Sequence, residues 1–260
     1  MMELKKASKV LFILLLTASC AKIKITTPAS SFVSPEAQGK LLSGGVRVQQ
    51  QGGTEGTVSF DNDSTENPLE LRNNVTPLSA AADLGILEKL DLVVKGHADA
   101  ATVYMLKFQL AGESRVKAQK GNSSLSIGIG YGEQEQGKSD DSDSVFEASS
   151  DGVEAAISET LLELSLIYGY RPQEDTLTYL GLHAQRQNYD FDLSSDSNAT
   201  LDGEQFDLET WAYGMSLGAV RYFENQYYVN IELSGQRTDF NNNDPTTFAF
   251  LTLAIGYNWD

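Results

Sequence analysis

The sequence predicts an all-β fold, an antiparallel up-and-down barrel of about ten strands that crosses a membrane. Three observations carry this expectation. Large apolar residues recur at every second position through most of residues 41–260, the period of a strand with one apolar face. The connections between these segments are long and short in turn. After the first twenty residues no stretch approaches 18 apolar residues, so helical spans are not expected, whereas barrel strands hide their hydrophobicity by alternation. Eight or twelve strands also fit the pattern.

The elements follow in chain order. Residues 1–19 read as an export signal: Lys5, Lys6 and Lys9 precede the apolar run Val10 to Leu16, which is too short to span a bilayer as a helix. The only cysteine follows in Leu16-Thr17-Ala18-Ser19-Cys20. This segment resembles a bacterial lipobox, which implies cleavage before Cys20 and lipidation of its thiol. Residues 20–40 are small and polar and include Pro28 and Pro35, so they are expected to form a periplasmic tether. The barrel is expected over 41–260.

Strands are expected at 41–50, 74–85, 88–97, 101–111, 122–133, 155–170, 175–190, 208–223, 226–238 and 246–259. The first is the weakest, because Val46, Val48 and Gln50 barely alternate. Leu125, Ile127, Ile129 and Tyr131 are interleaved with serine and glycine, as are Trp211, Tyr213, Met215 and Leu217 with Ala212, Gly214, Ser216 and Gly218. A small polar face suits a narrow lumen, and an apolar face ending in aromatics suits lipid. A soluble β-sandwich would place large residues inside and charges outside. It is carried as an alternative. The long connections, near 51–73, 134–154 and 191–207, fall on one end, and turns such as Arg171-Pro172-Gln173-Glu174 on the other. Barrels of the bacterial outer membrane have short periplasmic turns and long external loops, which puts both termini in the periplasm.

The last segment alternates Leu251, Leu253, Ile255, Tyr257 and Trp259. It resembles the C-terminal assembly signal of bacterial outer-membrane β-barrel proteins, although Asp260 follows the final aromatic. The resemblance implies residence in the outer membrane, contact with its lipid and lipopolysaccharide, and insertion by its assembly machinery. A monomer is expected.

The chain carries 36 acids and 19 bases, a net charge of −17; without residues 1–19 it has 35 and 16, or −19. That balance excludes nucleic acid as a partner. Twenty of the acids lie in or beside the three long connections. Such carboxylates could attract Ca²⁺ or Mg²⁺ weakly, but Asp140-Asp141-Ser142-Asp143 lacks the glycine and distal glutamate of a calcium loop. No metal centre or cofactor is expected.

Arg47, Asp91, Lys95, Lys107, Glu163, His183, Glu232 and Gln236 are expected to face the lumen. Opposite charges there can pair and close the barrel, or line a narrow path. Ten-stranded outer-membrane proteases of the omptin family use acidic residues and a histidine at the external rim. The only comparable pair is His97 beside Asp99, and no nucleophile motif accompanies it. The expectation is a non-enzymatic barrel with acidic external loops and a surface or structural role. A narrow cation-preferring channel is the alternative.

Overall fold

The computed structural model describes residues 21–29, 32–60, 69–75, 78–97, 100–136, 153–195, 203–224, 226–240 and 245–260. The signal segment, Cys20 and Asp99 lie outside them. Among the described residues thirteen strands are formed: β1 (Ala21–Pro28), β2 (Gly44–Gln50), β3 (Gly53–Phe60), β4 (Leu69–Val75), β5 (Leu78–Leu87), β6 (Leu90–His97), β7 (Thr102–Ala111), β8 (Ser123–Gln136), β9 (Val153–Gln173), β10 (Thr176–Ser195), β11 (Gln205–Phe223), β12 (Tyr227–Phe240) and β13 (Thr246–Trp259).

Ten of them close an antiparallel barrel in the order β2-β5-β6-β7-β8-β9-β10-β11-β12-β13, with β13 returning to β2. These ten match the ten expected segments, and a closed barrel replaces the sandwich alternative. The seam is short: seven residue pairs run from Gly44 opposite Trp259 to Gln50 opposite Leu253. The β9–β10 ladder, by contrast, runs from Thr176 opposite Gln173 to Ser195 opposite Val153. The wall is therefore low at β2 and β5–β7 and tall at β9–β11.

The alternation sorts side chains as the pleat requires. Val48, Leu106, Ile129, Leu164, Leu182, Leu217, Ile231 and Leu253 point outward and are exposed, while their neighbours Arg47, Lys107, Gly128, Glu163, His183, Ser216, Glu232 and Thr252 are buried inside. Aromatics mark both edges of the outer apolar band. Tyr104, Tyr131, Trp211 and Tyr213 are exposed toward the long connections, and Tyr168, Tyr170, Phe223 and Tyr227 toward the short turns. From Tyr213 to Phe223 a strand advances about 33 Å. At the usual barrel tilt of about 40° this rises about 25 Å, the height of a lipid-facing band.

Three features depart from the sequence expectation. First, residues 51–73 do not form a plain loop: β3 and β4 pair as a hairpin, and β1 adds to it to give a separate sheet of order β1-β3-β4. Second, the expected tether is not outside the fold. Ile25 to Ala29 and Phe32 to Gln38 are all buried. Third, the interior is not uniformly small and polar. Phe32, Val33, Val93, Met105, Ile167, Leu177, Tyr179, Val220, Tyr222 and Tyr228 form an internal apolar cluster. Glycine makes room for it: a Cβ on Gly218 would stand 2.3 Å from the Tyr179 hydroxyl.

Candidate functional site: the occupied lumen

The candidate site is the barrel interior, and its central element is Ala29 with the segment 32–38. Its path follows from the wall residues it touches. At the long-connection end, Gln51 beyond the end of β2 donates its side-chain amide to the Ala29 carbonyl. Tyr189, late in β10, donates to the Thr26 carbonyl at 3.2 Å. Lower down, Arg47 donates to the Phe32 carbonyl at 2.6 Å, and Lys107 to the carbonyls of Ser34 and Glu36 at 3.0 and 2.9 Å. Ser126 donates to the Pro35 carbonyl at 2.5 Å. Nearer the short turns, the Gln109 side chain accepts from the Ala37 amide at 2.7 Å, and Asp91 accepts from the Gln38 amide at 3.1 Å.

A tight turn then leads into β2. Gly39 has φ +90 and Leu42 φ 65, and Ser43 donates its hydroxyl to the Lys40 carbonyl at 2.6 Å. The turn docks on β5, where Leu42 donates its amide to Gly85 and Gly85 donates its own to Ser43. Gly85 has no alternative here, because a Cβ would meet the Lys40 carbonyl at 2.3 Å.

One ionic pair joins the wall to the segment, and two wall pairs flank it. Arg47 pairs with Asp83 at 2.5 Å while stacking over the Phe32 ring, 5.5 Å from its centroid. Lys107 pairs with Asp91 at 2.8 Å. With its two carbonyl bonds, all three ammonium protons have an acceptor. Arg171 grips Glu36 with two nitrogens, at 2.7 and 2.6 Å, and rests over the Tyr222 ring. Asn122 donates to the same carboxylate at 3.0 Å. The segment also fits sterically: a Cβ on Gly169 would lie 2.3 Å from Cγ of Pro35.

The other residues expected in the lumen lie across from this segment. Lys95 pairs with Glu163 at 2.6 Å, His183 bonds Gln236 at 3.2 Å, and Tyr179 donates to Glu232 at 2.7 Å. All are buried. Three partners had no expectation attached to them. Asp83 and Tyr179 alternate in register with expected lumen residues and could have been read from that. Glu36 could not, because it sits in a segment without periodicity.

The long-connection end is acidic in structure as in sequence. A crevice of about 620 Å³ there is lined by Glu135, Asp190, Asp192 and Asp207, with Ile157 and Phe191. Partial burial and the adjacent Asp207 raise Asp190 above the ordinary carboxylate value. At the other end Lys117 bonds Glu88 at 2.5 Å and holds it below that value. Among the described residues no group of three or more histidine, cysteine or acidic side chains could hold a metal ion. His97 ends β6, opposite Ser79.

No family model and no curated protein matches the chain. Among solved structures, the crystal structure of the outer membrane protease OmpT from Escherichia coli aligns over 94% of this chain and 98% of its own. The sequence identity is 9% and the TM-score 0.42. The expectation of a non-enzymatic protein is corrected on this point. A barrel fold does not fix a function, so the barrel form gives no ground for excluding catalysis. An alignment that remote transfers no residue role and no activity to this chain.

Proposed function

We propose that this chain is an outer-membrane barrel sealed by its own amino-terminal segment, serving as a surface or structural protein that holds an acidic, sheet-bearing face above the membrane. One observation carries the sealing. Residues 32–38 are buried along the lumen and are bonded to wall residues of β2, β6, β7, β8 and β9. Ten strands enclose an interior slightly wider than the eight-stranded case that side chains can fill, and the segment occupies the surplus. The acidic residues of the long connections then face the exterior. The chain contacts outer-membrane lipid and lipopolysaccharide on its apolar band, is inserted by the outer-membrane assembly machinery, and acts as a single copy. Cys20 carries a lipid.

Membrane insertion is supported by the outward band, since soluble monomers rarely expose contiguous apolar patches beyond a few hundred Å². Ile231, exposed on β12 between Ala219 and Leu253, tests it. Ile231→Arg is expected to destabilise the inserted barrel by about 2–4 kcal/mol, the depth-dependent effect of a charge on a lipid face. On a water-facing strand the change would stay within about 0.5 kcal/mol. Urea titration in phospholipid vesicles separates the two.

The sealing is tested in a planar bilayer. The full-length protein, shown to be folded by its heat-dependent gel mobility, is expected to give no conductance steps. Steady conductance from the folded protein would favour the channel instead.

A further inference from the structure

The direction of the lumen segment determines on which side β1 stands. Residue 40 is at the short-turn end, where the turn 39–43 meets Gly85. Ala29 is at the opposite end, beside Gln51 and Gly52. Ten residues from 29 to 38 reach at most about 33–36 Å when extended, enough to traverse a lipid-facing band of about 25 Å once. β1 lies beyond that, pairing along its full length with β3 from Ala21 opposite Phe60 to Pro28 opposite Gly53. β3 belongs to the long connection between β2 and β5, so β1 stands at the face opposite the short turns. The segment expected as a periplasmic tether thus leads away from the short-turn side.

We infer that the chain delivers its own amino-terminal strand through its barrel to the external face, so that a lipid on Cys20 is displayed outside the cell rather than in the inner leaflet. The inference rests on the outer-membrane reading above. Cys20 directly precedes Ala21, and the seal therefore doubles as the stalk of a surface anchor. No passage through a finished pore is needed. The segment immediately precedes β2, and β2 forms the seam with β13. Closing that seam last encloses the segment, while β3, which continues from β2, captures β1 on the far side. The buried Arg171–Glu36 pair, with the bonds from Lys107 to the Ser34 and Glu36 carbonyls and from Gln38 to Asp91, then keeps it from sliding.

The test uses the full-length chain in its own membrane and a membrane-impermeant maleimide, read as the gain over wild type. Three single-cysteine additions are compared: Lys24→Cys in β1, Ser142→Cys in the long connection after β8, and Lys117→Cys at the short-turn end. The expected result is labelling of Lys24→Cys and Ser142→Cys on intact cells, and of Lys117→Cys only after permeabilisation. Because β1 could be shielded within its sheet, a second variant, Thr26→Cys with Glu55→Cys, places two cysteines at paired positions. A disulfide between them, seen as a mobility shift lost on reduction, locates β1 on the external hairpin independently. External labelling of Lys24→Cys or formation of that disulfide sustains the inference. Lys24→Cys labelled only after permeabilisation, with no disulfide, overturns it while Ser142→Cys still upholds the orientation. If Lys117→Cys is labelled on intact cells and Ser142→Cys is not, the orientation itself fails, and external display with it.

Discussion

A variant lacking residues 21–38 is expected to conduct where the full-length protein is silent. Removing the segment takes out Phe32 and Val33 from the internal apolar cluster and leaves the interior lined by Arg47, Asp91, Lys95, Lys107 and Glu163. The wall should survive, because the ladders that close the barrel do not include these residues. Arg47 keeps Asp83, Lys107 keeps Asp91 and Lys95 keeps Glu163, so no wall charge except Arg171 loses its ionic partner. The conductance should prefer cations, since Glu135, Asp190, Asp192 and Asp207 concentrate them at the mouth. That preference should shrink as salt rises, because the Debye length falls from about 10 Å at 0.1 M to about 3 Å at 1 M. Reversal potentials across a salt gradient measure it. A subtler variant checks that occupancy of the lumen, not loss of β1, is responsible. Gly169→Val places a side chain where Pro35 stands, and it is expected to give intermittent openings with every residue of β1 present. A folded 21–38 deletion with no conductance would mean that wall side chains alone close the lumen.

The parts of this molecule that were legible in its sequence are those where side chains repeat with the strand period. The barrel segments with clear alternation, and the inward placement of residues such as Lys107 and Glu163, follow from one face being apolar and the other not. The sealing segment left no such trace. Phe32-Val33-Ser34-Pro35-Glu36-Ala37-Gln38 has no alternation, and most of its bonds to the wall use its own carbonyls and amides. Every residue carries those groups, so composition could not distinguish a seal from a tether. The one side-chain signal was Glu36 at one end and Arg171, in an expected tight turn, at the other, 135 positions apart. The β3–β4 hairpin was obscured in another way. Gly53-Thr54-Glu55-Gly56-Thr57 offers too little apolar content to show a period, and the strand is held by pairing with β1 and β4.

The Glu36–Arg171 pair should show whether charge holds the seal in place. Its two bonds at 2.7 and 2.6 Å are made with side chains 0% and 5% exposed. Removing one member of a buried pair typically costs about 3–5 kcal/mol, because the other is left charged and uncompensated. Arg171→Ala strands Glu36, which keeps only the Asn122 amide, and should incur most of that. Glu36→Ala should cost less: Arg171 sits near the short-turn rim and retains the Glu174 carbonyl at 2.5 Å and the Tyr222 ring. Replacing both with apolar residues, Glu36→Met with Arg171→Leu, should recover much of the loss, since a well-packed apolar pair is often no worse than a buried ionic one. The asymmetry also predicts where the energy appears. The segment can leave the lumen without unfolding the ladders, so Arg171→Ala should open the seal before it unfolds the barrel. Bilayer openings should then rise while the urea midpoint of the barrel stays close to that of the full-length protein. If the midpoint falls and the bilayer stays silent, the pair secures the wall and not the segment, and the seal depends instead on Lys107, Asp91 and the packing of Phe32 against Tyr179.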